Sequence, residues 1–155
     1  MDPTLSPGFR QTTDAAVIVA CDGAYLPYAG VLAAQLAAVE GRGFDVLIGS
    51  PEPLALPPAL AAAGIGHVAA QDAGLAQSLP LDARRSLATY MEIFLARALA
   101  GRWRRILVLD ADILLERGDP TPLLAAEDVP EAGFTGRMKG AVMRLGHKAV
   151  EAAGL

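Results

Sequence analysis

The chain has 155 residues, of which 53% are hydrophobic and 19% charged, and its formal net charge is −4. This length and composition are typical of one globular domain with a substantial core. The acidic balance and the lack of a basic stripe argue against a nucleic-acid partner. A single cysteine, Cys21, excludes an intramolecular disulfide, and no run approaches the roughly 18 apolar residues of a membrane span. We therefore expect a cytoplasmic protein without a transmembrane segment.

Short apolar runs alternate with helical patterns along the chain. Residues 1–13 are polar with two prolines and a glycine, so we expect a loose N-terminal arm before a single domain at residues 14–155. Apolar runs predict four buried strands, at residues 15–20, 44–49, 65–70 and 104–110. Helical spacing predicts helices at residues 28–41, 58–64 and 85–101. A fourth helix is predicted with Asp119 as N-cap and Pro120 at its first position. A predicted strand near 131–135 and a predicted helix near 140–153 follow.

This alternation indicates an α/β domain with a mainly parallel sheet flanked by helices. In such sheets, ligands bind beyond the carboxyl ends of the strands. Two of the loops at these ends carry aspartates, because Asp22 follows the first predicted strand and Asp110 and Asp112 follow the fourth. We therefore expect these side chains at the same edge of the sheet.

The aspartate pair directly follows the apolar run ILVL. In an extended backbone, residues two apart point to the same face, so Asp110 and Asp112 can converge, while the small Ala111 lets a ligand approach the backbone. Two close carboxylates repel each other, and a divalent cation relieves the repulsion. Oxygen ligands suit Mn²⁺ or Mg²⁺, which often share substrate phosphates. The spacing thus favours a metal–diphosphate site, and the alternative is a strand that merely ends in a solvated turn.

Three longer blocks point to a known family. They are VACDGAYLPYAGVLAAQL (19–36), SLATYMEIFLARALAG (86–101) and RRILVLDADILLERGDPTPLL (104–124). In this order the blocks resemble family 8 glycosyltransferases, the glycogenin and lipopolysaccharide galactosyltransferase group. The resemblance implies a GT-A fold with a Rossmann-like nucleotide-binding part, a UDP-sugar donor and Mn²⁺. It also implies retaining hexosyl transfer to a glycan or lipopolysaccharide-type acceptor.

The resemblance assigns roles to two short motifs. Asp110 and Asp112 match the family's D-x-D and would hold Mn²⁺ (or Mg²⁺) and the donor diphosphate or ribose. Ala20, Asp22 and Tyr25 match its A-x-D-x-N-Y pattern. They would contact uracil through the backbone, a carboxylate and ring stacking.

The sequence departs from the family pattern at several points. Ala24 stands where asparagine is usual, and Glu92 where an arginine usually reaches toward the donor, although Arg97 could compensate. The resemblance covers residues 15–125, and a late histidine ligand and the acceptor-side residues lie beyond it. We therefore expect a truncated nucleotide-binding half that transfers sugar only when a missing half completes it. The apolar surface on which the missing half would dock would then be exposed, and it would lead to self-association or bind a partner chain.

Two other functions stay open. The chain could be a catalytically incomplete nucleotide-binding or assembly module. It could also be an aspartate-nucleophile phosphatase, with Asp110 as nucleophile and Asp112 as acid/base. That class prefers Thr or Val where Leu114 stands, and its motif usually lies on the first strand. Neither a Rossmann dinucleotide fingerprint nor a Walker phosphate loop is present in the sequence.

Overall fold

The computed structural model of the chain describes residues 3–71, 76–77, 79, 87–115 and 119–125. The elements in chain order are β1 (Thr4–Leu5), β2 (Ala15–Ala20), α1 (Leu26–Ala37), β3 (Asp45–Ser50), α2 (Pro58–Ala62), β4 (Gly66–Ala69), a 3₁₀ turn (Leu87–Tyr90), α3 (Met91–Ala98), β5 (Arg105–Asp110) and α4 (Thr121–Ala125). The strand predicted near 131–135 and the helix predicted near 140–153 lie outside the described residues. None of the helices within the described ranges is long and apolar enough to cross a membrane.

Five strands form one sheet in the order β1-β4-β3-β2-β5. Strands β2 to β5 run parallel to their neighbours, and only the short β1 is antiparallel, to β4. β2 and β3 are buried along their whole length, which explains why their sequences are apolar rather than alternating. β5, the last strand in this order of the described strands, is only half-buried. These features confirm the predicted α/β class with a mainly parallel, helix-flanked sheet.

Two hydrophobic clusters lie on opposite faces of the sheet. α1 packs on one face through Leu32 and Leu36, and α3 packs on the other through Phe94 and Leu95. Gly49 in β3 allows α3 to approach closely, because an added Cβ would lie 2.8 Å from the Leu95 side chain. The two helices thus fix the central strands from both sides, and with them the loops that leave the carboxyl ends of those strands.

The N-terminal segment differs from the loose arm that we expected at residues 1–13. Within its described part, Thr4–Leu5 pairs with β4, and the Phe9 ring lies so close to Gly66 that a Cβ there would collide with it. Thr12 and Thr13 donate hydrogen bonds to the buried Asp45 side chain. The polar composition was misleading because these partners come from strands more than thirty residues away in the chain.

Candidate functional site

The neighbouring strands β2 and β5 define the candidate site. They are parallel, and their register places Ala20 opposite Asp110. Asp22 therefore follows its strand at the same edge of the sheet at which Asp110, Ala111 and Asp112 follow theirs. The structure brings together the two aspartate-bearing loops, as the alternation of strands and helices predicted.

The loop after β2 turns tightly into α1. Oδ1 of Asp22 accepts a hydrogen bond from the backbone N–H of Tyr25 at 3.0 Å, and the Asp22 carbonyl accepts from the same N–H at 3.2 Å. The backbone N–H of Cys21 donates to the Gly49 carbonyl at 2.9 Å, which continues the β2–β3 pairing beyond Ala20. The Asp22 side chain is half-buried and the Tyr25 ring is exposed. This loop thus presents a carboxylate and an aromatic ring beside each other.

The loop after β5 forms a turn rather than a continued strand. The backbone N–H of Ile113 donates to the Asp110 carbonyl at 3.3 Å, which makes residues 110–113 one four-residue turn. Asp110 and Asp112 are exposed, whereas Ala111 is buried. Our argument from an extended backbone is therefore wrong at this point. The two carboxylates share one turn instead of one face of a strand.

Gln35 connects α1 to the chain that follows the aspartate turn, and sequence reasoning did not identify it as a site residue. Its Nε2 donates to the Leu115 carbonyl at 3.1 Å, and its Oε1 accepts from the Leu115 N–H at 3.3 Å. A pair of bonds to one backbone residue fixes both position and direction of the chain that leaves the aspartate turn. The signal in the sequence was a lone amide within the otherwise apolar LAAQLA stretch.

Asp110 and Asp112 could hold a cation whose remaining ligands are waters and phosphates. They could not form a metal centre from the protein ligands of the described residues alone. Within the described ranges, no group of three or more His, Cys, Asp or Glu side chains could hold a metal ion. Mg²⁺ and similar hard cations are commonly held by one or two carboxylates together with waters and substrate phosphates. Asp110 and Asp112 provide oxygen ligands of this kind, both exposed at the edge of the sheet.

Ser50 and His67 form a buried pair that resembles a nucleophile and its base. The Ser50 hydroxyl donates to the Glu52 carbonyl at 2.5 Å, so it accepts the 2.7 Å hydrogen bond from His67 Nε2. Burial lowers the pKa of His67, which keeps the ring neutral. Because the serine proton is committed to a carbonyl, His67 does not receive it. The pair stabilises the fold and does not supply a nucleophile.

The structure also defines the surroundings of Cys21 and Glu92. Cys21 is buried, and burial raises the pKa of its thiol to about 11, with the Asp22 charge adding to the rise. A neutral thiol is neither a good nucleophile nor a metal ligand at neutral pH. Glu92 lies half-buried in the first turn of α3, on the face of the sheet opposite α1.

Comparisons with known proteins give no match, whether to a family model, to a curated protein or to a solved structure.

Proposed function

We propose that this chain binds a UDP-sugar together with Mn²⁺ or Mg²⁺, as the nucleotide-binding part of a retaining glycosyltransferase resembling family 8 and having a GT-A fold. The observation that supports this most directly is the register that places Ala20 opposite Asp110. Because of this register, the proposed uracil contacts after β2 and the proposed diphosphate contacts after β5 lie at one edge of a parallel sheet. This edge is where such sheets bind ligands.

The loop after β2 is suited to bind the nucleobase. Oδ1 of Asp22 is used within the loop, whereas Oδ2 has no hydrogen-bond partner among the described residues and can accept from a base N–H. The exposed Tyr25 ring offers a stacking surface. Stacking of a base on an aromatic side chain contributes about 1–3 kcal/mol. The backbone of Ala20 and the following residues completes the proposed contact with uracil.

The turn after β5 is suited to hold the diphosphate through a cation. Asp22, Asp110 and Asp112 place negative charge at this edge of a chain whose net charge is already −4, so a bare diphosphate would be repelled. A bound divalent cation would reverse the local charge and act as a Lewis acid toward the leaving diphosphate. The role of Asp110 and Asp112 is to hold that cation and thereby orient the donor. Donor binding should therefore depend on metal.

Transfer to a glycan or lipopolysaccharide-type acceptor belongs to the same proposal. The motifs that resemble the family assign residues to donor binding, and we propose that self-association or a partner chain contributes to the acceptor site. A cytoplasmic location accords with the single buried cysteine. If the chain is instead an incomplete nucleotide-binding or assembly module, donor binding will be retained and transfer will be absent under all conditions.

Thermal melting with ligands tests the proposal. A ligand that binds only the folded form raises the free energy of unfolding by about 2.7 kcal/mol at a hundredfold excess over its Kd. We expect such an increase with UDP plus Mn²⁺ and little change with either alone. The matched control is Asp110→Asn/Asp112→Asn, which keeps the shape of the turn and removes its charge. A metal-independent UDP response, or a full response in this variant, would refute the proposed site.

A further inference from the structure

The exposed apolar side chains of the described residues are concentrated beside the candidate site. The large hydrophobic side chains that are exposed there are Tyr25 just before α1, Tyr28 and Val31 in its first two turns, Ile113 in the aspartate turn and Leu114 after it. Single exposed apolar residues are common on protein surfaces, whereas a contiguous group marks a binding surface. The aromatic members of this group are Tyr25, at the N-cap position of α1, and Tyr28, in its first turn.

Tyr28 lies on the flank of α1 that faces the aspartate loop. It is seven residues before Gln35, and residues at this spacing share one side of a helix. Gln35 in turn binds Leu115, the residue after Leu114. The flank that carries Tyr28 is thus the flank along which the chain leaves the aspartate turn.

The rings of Tyr25 and Tyr28 contact each other. Their centroids are 5.7 Å apart and their planes are inclined by 43°. This separation is within the range of favourable aromatic pairs. The side chains are nevertheless 51% and 62% exposed, so the pair is not part of the hydrophobic core. An exposed ring without a neighbour would sample several rotamers, and the contact with Tyr28 restricts those of Tyr25.

We propose that Tyr28 is a positioning residue for the nucleobase, which holds the Tyr25 ring in the orientation that stacks on the base. This inference rests on the proposed function and adds a specificity-determining residue to it. A ring that is already oriented loses less conformational freedom on binding, so the affinity for the base is higher. Tyr28 acts through Tyr25 and not on the phosphates. Its effect is therefore confined to ligands that carry a base.

Calorimetric titration of the full chain in Mn²⁺ tests this role with two ligands, UDP and inorganic pyrophosphate. Tyr28→Ala should weaken UDP binding about fivefold, as a part of the loss expected from removing a stacked ring, and should leave pyrophosphate binding unchanged. Tyr28→Phe keeps the ring contact and should bind UDP as the wild type does. Tyr28→Phe is therefore the matched control for Tyr28→Ala, because it removes only the hydroxyl group.

A double substitution distinguishes positioning from direct contact. If Tyr28 acts through Tyr25, Tyr25→Ala/Tyr28→Ala should bind UDP no more weakly than Tyr25→Ala alone. Additive losses, an equal loss for pyrophosphate, or an unchanged affinity in Tyr28→Ala would each overturn the inference while leaving the proposed function intact. Failure of the wild-type chain to bind UDP with Mn²⁺ would instead overturn the proposed function, and this inference with it.

Discussion

The two edges of the parallel sheet both carry aspartates, and they use them differently. At the amino edge, Asp45 begins β3, is only 5% exposed and accepts hydrogen bonds from Thr12, Thr13 and the Trp103 indole. At the carboxyl edge, Asp110 and Asp112 are exposed on a turn. A carboxylate whose oxygens are occupied by the protein's own donors organises the fold. A carboxylate that keeps free oxygens beside a strand end is available to a ligand.

The largest expected effect comes from removing the saturated carboxylate. Asp45→Ala leaves the Trp103 Nε1–H, which donates at 2.9 Å, and the Thr12 and Thr13 donors without their acceptor. We expect the free energy of unfolding to fall by about 3 kcal/mol, because hydrogen bonds to a charged group are strong and a buried orphan donor is costly. Urea unfolding measures the loss.

Asp110→Ala is the matched control for that experiment. It removes a carboxylate at the other end of the sheet that is exposed, so the free energy of unfolding should change by no more than about 0.5 kcal/mol. If both variants are destabilised equally, the distinction between a structural and a ligand-binding edge is wrong.

A smaller effect is expected at the Gln35 amide, which connects α1 to the chain after the aspartate turn. Gln35→Leu keeps most of the side-chain volume but leaves the N–H and carbonyl of Leu115 without their partner. We expect a loss of about 1 kcal/mol in the free energy of unfolding. UDP binding in Mn²⁺ should also weaken, because the chain after Asp112 is no longer held against α1. Melting curves and calorimetry give the two quantities.

Gln11→Leu provides a comparison at the amino edge. Like Gln35, Gln11 makes two side-chain hydrogen bonds to the backbone, since its Nε2 donates to the carbonyls of Thr13 and Arg102 at 2.9 and 2.8 Å. Its loss should affect stability alone. Weaker UDP binding in the Gln11 variant, or unchanged binding in the Gln35 variant, would show that Gln35 has no special relation to the site.

The smallest effect concerns the pH dependence of stability. Burial lowers the pKa of His67 in the folded chain, so the unfolded chain binds more protons between the folded pKa and the ordinary value of about 6.5. The contribution of neutral His67 to stability is complete above that ordinary pKa. It decreases as the pH falls through this value toward the lower folded pKa, and then levels off.

The measurement compares urea unfolding of the wild type and His67→Gln between neutral and acid pH. The variant should lose less stability than the wild type as the pH falls below about 6.5. His147 is present in both proteins, so its contribution cancels in the comparison. Parallel curves would mean that the ring of His67 is hydrated rather than buried.

Local sequence patterns predicted most of the described fold. The apolar run at residues 15–20 is β2 at its predicted bounds. The helix predicted to begin at Pro120 begins one residue later, at Thr121, whose N–H donates to Oδ1 of Asp119 at 2.8 Å. α1 starts and ends earlier than predicted. It ends early because the chain leaves the helix at Ala38, before it reaches Gly41, whose φ is 67°. Such signals are visible because both partners are close in the chain.

Contacts between distant residues were not predictable from the same patterns. The hydrogen bond between Asp45 and Trp103 joins positions 58 residues apart, and the hydrogen bonds between Gln35 and Leu115 join positions 80 residues apart. Asp45 and Asp110 each adjoin an apolar run in the sequence. That local pattern does not show which of the two carboxylates accepts hydrogen bonds from the rest of the protein. The turn at residues 110–113 was only the alternative in our sequence analysis, because a strand-ending aspartate fits an extended chain and a turn equally well.

The pairing of β2 with β5 also has a kinetic consequence. Ala20 and Asp110 are 90 residues apart in the chain, whereas β2 and β3 pair across a single intervening helix. Closing the longer loop costs more chain entropy, and folding slows as contacts become less local. The carboxyl edge between β2 and β5 should therefore be completed late in folding. In a refolding experiment, the capacity to bind UDP with Mn²⁺ should appear after helical structure has formed. It should appear in the same kinetic phase as the pairing of β5 with β2.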